Sequence, residues 1–164
     1  MYGNDETVRS ILARTPPSVH DVISPWHIIL LSAMKHQSPE IVSMVLDPVR
    51  GPWITNEGKK ILQTAADVQN PDVLSLLLTH LESKETPNTF ESCVTHLLHV
   101  SYTDGRTETL RYLLSRESEI SGDLLFNKRI NLSDAWKGGH AETLELLLTA
   151  GIADIEELNS KGWS

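Results

Sequence analysis

The feature that most constrains this chain is a short run, acidic at its start and aliphatic after it, that returns five times at nearly constant distance. The runs are Glu6-Thr-Val-Arg-Ser-Ile-Leu12, Glu40-Ile-Val-Ser-Met-Val-Leu46, Asp72-Val-Leu-Ser-Leu-Leu-Leu78, Glu108-Thr-Leu-Arg-Tyr-Leu-Leu114 and Glu142-Thr-Leu-Glu-Leu-Leu-Leu148. Their acidic residues are separated by 34, 32, 36 and 34 positions. The aliphatic residues recur at helical spacing and give each run one apolar face. A helix this short cannot bury such a face alone, so a period near 34 implies an array in which each copy covers its neighbour.

Most of these runs follow a second apolar run: Ile28–Met34, Ile61–Ala66, Leu97–Tyr102 and Ile130–Trp136. The connections are short (Lys35-His36-Gln37, Asp104-Gly105-Arg106), so the two helices of each copy must be antiparallel neighbours. Ala33, Ala65, Ala66 and Ala135 permit their close approach. The second helices have a local reason to start where they do. Ser38-Pro39-Glu40 and Asn70-Pro71-Asp72 read as a capping side chain, a proline at the first helical position and an acid in the first turn. In the last copy, Leu132, Ala135 and Trp136 mark a short helix, Gly138-Gly139 breaks it, and Gly151 is placed to end the next one. Asp47–Pro52 and Glu82–Ser92, the latter containing Pro87-Asn88, read as loops.

Bulk properties limit what such an array can do. Basic residues number 14 against 22 acidic ones, a net charge of −8, and the longest basic run is Lys59-Lys60. Nucleic acid and anionic membrane surfaces both require a basic stripe that this chain lacks. Cys93 stands alone, which excludes an internal disulfide framework and fits a reducing, intracellular and cytoplasmic setting, with the nucleus also compatible. The N-terminus shows no signal-peptide pattern, and no apolar stretch approaches the length of a membrane span.

The stretch Ala135-Trp-Lys-Gly-Gly-His-Ala-Glu-Thr-Leu-Glu-Leu-Leu-Leu-Thr-Ala-Gly151 resembles an ankyrin repeat, with its Gly-His, its Glu and its aliphatic triplet. Leu62-Gln-Thr-Ala-Ala66 and Leu98-His-Val-Ser-Tyr102 resemble the first-helix half of that repeat. The resemblance implies an all-α, ankyrin-like solenoid of about four helix pairs and an N-terminal half-repeat, with units at 1–22, 23–55, 56–91, 92–125 and 126–158 and the start of a further one at 159–164. It also implies a concave face of first helices and turn tips that binds a protein partner. The copies depart from the pattern. None keeps the Thr-Pro-Leu-His tetrapeptide, His99 and His96 standing nearest to its histidine and threonine, and Met34, Tyr102 and Trp136 replace a small alanine.

No motif of an established catalytic class is present, and no catalytic residue, metal ligand or cofactor is assigned. Three constellations remain. His96 and His99 lie three apart on one helix, with Asp104 beyond, a spacing that suits zinc if a third ligand converges but suits turn stabilisation and capping better. His36, Asp67, Asp104 and Lys137 each follow a first helix and form a row of contact residues; with Trp53, Glu57, Lys59 and Arg129 they are the candidate partner-binding set. Trp26, Trp53 and Trp163 fall in turns between copies, whereas Trp136 reads as core and Cys93 as a free thiol near a turn. The alternative function is a small-molecule enzyme of isomerase or cyclase type, or a ligand binder, using His36, His96, His99 and Asp104.

Overall fold

Asn70 starts one helix of this chain with its own side chain. Its Oδ1 accepts the backbone N–H groups of Asp72 at 2.9 Å and Val73 at 3.3 Å, and Pro71 follows with no N–H to satisfy. The computed structural model of the protein describes Ser10 and residues 25–46, 56–116 and 132–152. Among them the regular structure is helical throughout, and the fold class is all-α. The elements are α1 (Pro25–Lys35), α2 (Pro39–Leu46), α3 (Asn56–Val68), α4 (Pro71–Lys84), α5 (Pro87–Thr103), α6 (Thr107–Ser115), α7 (Leu132–Lys137) and α8 (Ala141–Thr149). No helix among the described residues is long and apolar enough to cross a membrane. The Glu6–Leu12 run, apart from Ser10, and the Asp47–Pro52 segment lie outside the described residues.

The helices pair through one kind of turn. Gln37 and Gln69 both adopt φ 52°, and Gly105 and Gly139 adopt 67° and 72°. These left-handed residues are 32, 36 and 34 positions apart, the same intervals as the acids that follow them. After Gln37, Gly105 and Gly139 the next residue reaches back to the first helix. Ser38 N–H donates to Ala33 O at 3.2 Å, Arg106 N–H to Ser101 O at 2.8 Å, and His140 N–H to Ala135 O at 3.1 Å. This is the Schellman closure, which satisfies carbonyls that a helix end otherwise leaves without partners. Gly151, at φ 70°, ends α8 in the same way, with Ile152 N–H on Leu147 O at 3.2 Å.

Two compact units divide the chain at Cys93 and Val94, within α5. In the first, α1 packs against α2 and α3, and α4 packs against α2 and α3. Its core holds Leu30, Met34, Val42, Val45, Ile61, Leu62, Leu74, Leu77 and Leu81, all essentially inaccessible. In the second, α8 packs against α6 and α7, around Leu97, Leu110, Leu113, Ala135 and Leu147. Each fully buried leucine contributes roughly 1.5–3 kcal/mol, so the aliphatic triplets supply the main cohesion of both units.

One expectation is overturned. Glu82–Ser92 is not a loop: α4 continues to Lys84 and α5 begins at Pro87, leaving Glu85 and Thr86 between them. The reason is another cap. Thr86 Oγ1 accepts the Thr89 N–H at 3.3 Å and pairs with the Thr89 hydroxyl at 3.0 Å, and Pro87 fills the first helical position. Helix α5 therefore runs unbroken across the expected 91/92 unit boundary. His96 and His99 consequently sit in the body of a 17-residue helix, where neither can cap a terminus or knit an opening turn.

Candidate functional site

The left-handed turns set the positions of the polar tips. His36 and Asp104 immediately precede the left-handed residues Gln37 and Gly105, whereas Asp67 and Lys137 stand two before Gln69 and Gly139. The expected single row is thus two registers, one residue apart. All four side chains are exposed, as is that of Lys59 in the first turn of α3. Trp53 and Arg129 lie outside the described residues, and of Glu57 only the backbone, in α3, is described. Trp26 belongs to α1 rather than to a turn, and Trp163 lies outside the described residues.

In the second unit His99 has a defined partner. Its Nδ1 is 2.8 Å from the Tyr102 hydroxyl, and the two rings meet edge to face with centroids 5.2 Å apart at 83°. Tyr102 is only 8% exposed. Burial first, and the Asp134 carboxylate second, raise the pKa of its phenol above the ordinary value. Either the phenol donates to Nδ1 or Nδ1–H donates to the phenol oxygen, according to the imidazole tautomer, and in both cases Nε2 remains the second polar atom of an exposed ring. His99 can therefore offer one oriented hydrogen bond to a partner. His96 is half-buried one turn earlier. No group of three or more His, Cys, Asp or Glu among the described residues is arranged to hold a metal ion, so the His96, His99 and Asp104 spacing gains no converging third ligand there.

His140 carries a role that sequence reasoning saw only as part of a Gly-His pair. Its Nε2–H donates to Thr103 O at 3.0 Å, joining the start of α8 to the end of α5. A Cβ on Gly105 or on Gly138 would collide with this imidazole, so both positions are small because the ring lies between them. Beside it, the buried hydroxyls of Thr107 and Thr143 pair at 3.1 Å, and Arg111 reaches Glu142 at 3.4 Å across an exposed edge. Thr107 precedes the acid of its copy and Thr143 follows the acid of the next, so the pair joins non-equivalent positions, and the threonine that recurs after the acid (Thr109, Thr143) signals only one of the two partners.

Two further expectations are corrected. Trp136 is not core but 49% exposed, because Ala135 takes the inward position of α7 and the next residue projects about 100° around the helix. Cys93 is not near a turn: it lies within α5, 1% exposed and free of any disulfide. Desolvation, with a smaller contribution from Glu85, pushes its thiol up to about 11. That thiol is protonated at neutral pH and is not a nucleophile.

No family model matches this chain, and neither a curated protein nor a solved structure matches it.

Proposed function

We propose that the chain is a divergent ankyrin-type solenoid acting inside the cell as a non-catalytic interaction module. The observation that carries this reading is the recurrence of one helix–turn–helix unit, with the same left-handed turn at Gln37, Gln69, Gly105 and Gly139. Such turns fix the exposed tips beside them, and a rigid surface loses little conformational entropy on binding. The contact residues are His36, Lys59 and Asp67 in one unit and Asp104 and Lys137 in the other, all exposed. Trp53, Glu57 and Arg129 complete the proposed set. The excess of 22 acidic over 14 basic residues favours a basic or mixed partner surface.

Affinity capture from the native cell with the full chain tests this, run in parallel with Asp67→Lys and Asp104→Lys. The expected result is a partner recovered by the wild type and lost with each charge reversal, at unchanged melting temperature. Recovery of no partner that depends on either residue sinks the proposal. The oriented His99–Tyr102 pair favours the second reading, a small-molecule site of isomerase, cyclase or binder type. That reading requires His99→Ala to abolish turnover or ligand-induced thermal stabilisation.

A further inference from the structure

Asp104-Gly105 is the one Asp-Gly pair in the sequence. The carboxyl carbon of an aspartate and the amide nitrogen of the next residue can close a five-membered ring, and a side chain on that next residue crowds the approach. Glycine has none. Among the other described aspartates, Asp67 and Asp72 precede valine and Asp134 precedes alanine.

The second unit sets this pair apart in three further ways. Asp104 is exposed just past the end of α5. The Gly105 N–H also differs from its counterparts. Those of Gln37, Gly139 and Gly151 donate to Met34 O at 2.9 Å, Trp136 O at 2.9 Å and Leu148 O at 3.1 Å. Among the described residues no backbone carbonyl takes the Gly105 N–H, although Asp104 N–H is held on Val100 O at 3.0 Å and Gly105 O by Thr107 N–H at 3.0 Å. The third feature is His140. Thr103 O can only accept, so in the neutral imidazole Nε2 carries the proton and Nδ1 keeps its lone pair. Nδ1 is the ring atom nearest to where a Gly105 Cβ would stand, so this basic atom lies against the glycine. An exposed carboxyl, an amide proton left unengaged and a base thus meet in one turn.

We propose that Asp104 is a site of spontaneous isomerisation, promoted by this turn, in which the main chain passes from the α- to the β-carboxyl of the residue. The Gly105 nitrogen attacks Asp104 Cγ while its proton passes to His140 Nδ1. One carboxyl oxygen leaves as water, taking that proton back from the imidazolium and a second from solvent. The cyclic imide then adds water at the main-chain carbonyl carbon of Asp104, the bond from that carbon to the Gly105 nitrogen breaks, and one proton returns to solvent. One water is lost and one gained, so mass is unchanged. The isoaspartate puts one more carbon into the backbone, which draws Arg106 N–H away from Ser101 O, its partner at 2.8 Å, and leaves the charge of this tip on a shorter arm. The change is read in the covalent chain alone, so it stands or falls separately from any partner at this tip.

The test ages the full chain at physiological temperature and neutral pH, folded in buffer and unfolded in urea, and follows the tryptic peptide that ends at Arg106. Fragment mass spectrometry separates aspartate from isoaspartate at equal mass. Isoaspartate is expected at Asp104, faster in the folded chain than in the unfolded one, with Asp67, Asp72 and Asp134 unchanged. Asp104→Glu, which cannot close the five-membered ring, is expected to form none. His140→Gln, which keeps a donor for Thr103 O but no basic nitrogen, is expected to fall to the rate of the unfolded chain. A folded wild type that isomerises no faster than the unfolded one overturns the proposal, and that comparison needs no variant to fold. A folded His140→Gln that keeps the wild-type rate overturns it too.

Discussion

Gln37 and Gln69 hold a conformation that their later counterparts, Gly105 and Gly139, adopt without a Cβ. A non-glycine residue in this region costs about 1–2 kcal/mol, partly offset because glycine loses more entropy on folding. Gln37→Gly and Gln69→Gly are therefore each expected to raise stability by about 0.5–1 kcal/mol, measured as an upward shift in urea midpoint at constant m-value. The opposite holds at Gly138, where alanine would drive a Cβ into the His140 ring, and Gly138→Ala is expected to lower the midpoint. Cys93 gives a residue-scale pH dependence. Its folded pKa of about 11 lies above the thiol's ordinary value of 9.0, so below pH 9 the thiol is protonated in both states and its contribution is intact. Between pH 9 and 11 the unfolded chain ionises first, and stability falls at up to about 1.4 kcal/mol per pH unit. Cys93→Ala is expected to flatten that decline. Equal slopes for variant and wild type across this window would rule the shift out.

At the scale of the element, the Asn70 start was the most legible part of the sequence, because its cause is local, whereas in the matching Ser38-Pro39-Glu40 pattern the Ser38 hydroxyl bonds the Glu40 carboxylate at 3.3 Å. Asn70 needs only Pro71, Asp72 and Val73 to define the start of α4, and its side chain bonds as that pattern requires. Replacing Asn70 by alanine is expected to cost about 1 kcal/mol. The same chemistry at Thr86-Pro87 was open to reading, yet the polar composition of Glu82–Ser92 suggested a loop, and only the Thr86 hydroxyl bonds show a helix start there. What could not be read locally is what depends on a partner element. The exposure of Trp136 follows from what covers α7, and the His140–Thr103 bond spans 37 residues. The polar tips were found by position, but their split into two registers depends on where each helix gives way to its left-handed residue. The Thr107–Thr143 pair offers a measurement at this scale. Removing one hydroxyl leaves the other buried with a lost partner, at a cost of about 1–3 kcal/mol. Thr107→Val and Thr143→Val together are expected to cost less than the sum of the two alone. Strict additivity in the cycle shows the hydroxyls to be uncoupled.

At the scale of the whole chain, the question is whether two units fold as two or as one. Contacts divide at Cys93 and Val94, but the backbone does not, since α5 carries unbroken hydrogen bonding from Pro87 to Thr103 through that point. A repeat array keeps its cooperativity only while the terms coupling neighbours exceed the deficit of the least stable copy. A continuous helix is one such term, because fraying either half exposes backbone groups of the other. Thr95, half-buried just past the division, is the position at which to cut it. Proline there removes an N–H and sets its ring against the carbonyl one turn earlier, at a cost of about 3 kcal/mol or more. The wild type is expected to melt in one transition, with tryptophan fluorescence and far-UV ellipticity coincident. Thr95→Pro is expected to melt lower and to separate the two signals, Trp26 and Trp53 belonging to the first unit and Trp136 and Trp163 to the second. If Thr95→Pro keeps one coincident transition near the wild-type temperature, α5 is not what couples the units, and cooperativity must be sought in packing that does not pass through its backbone.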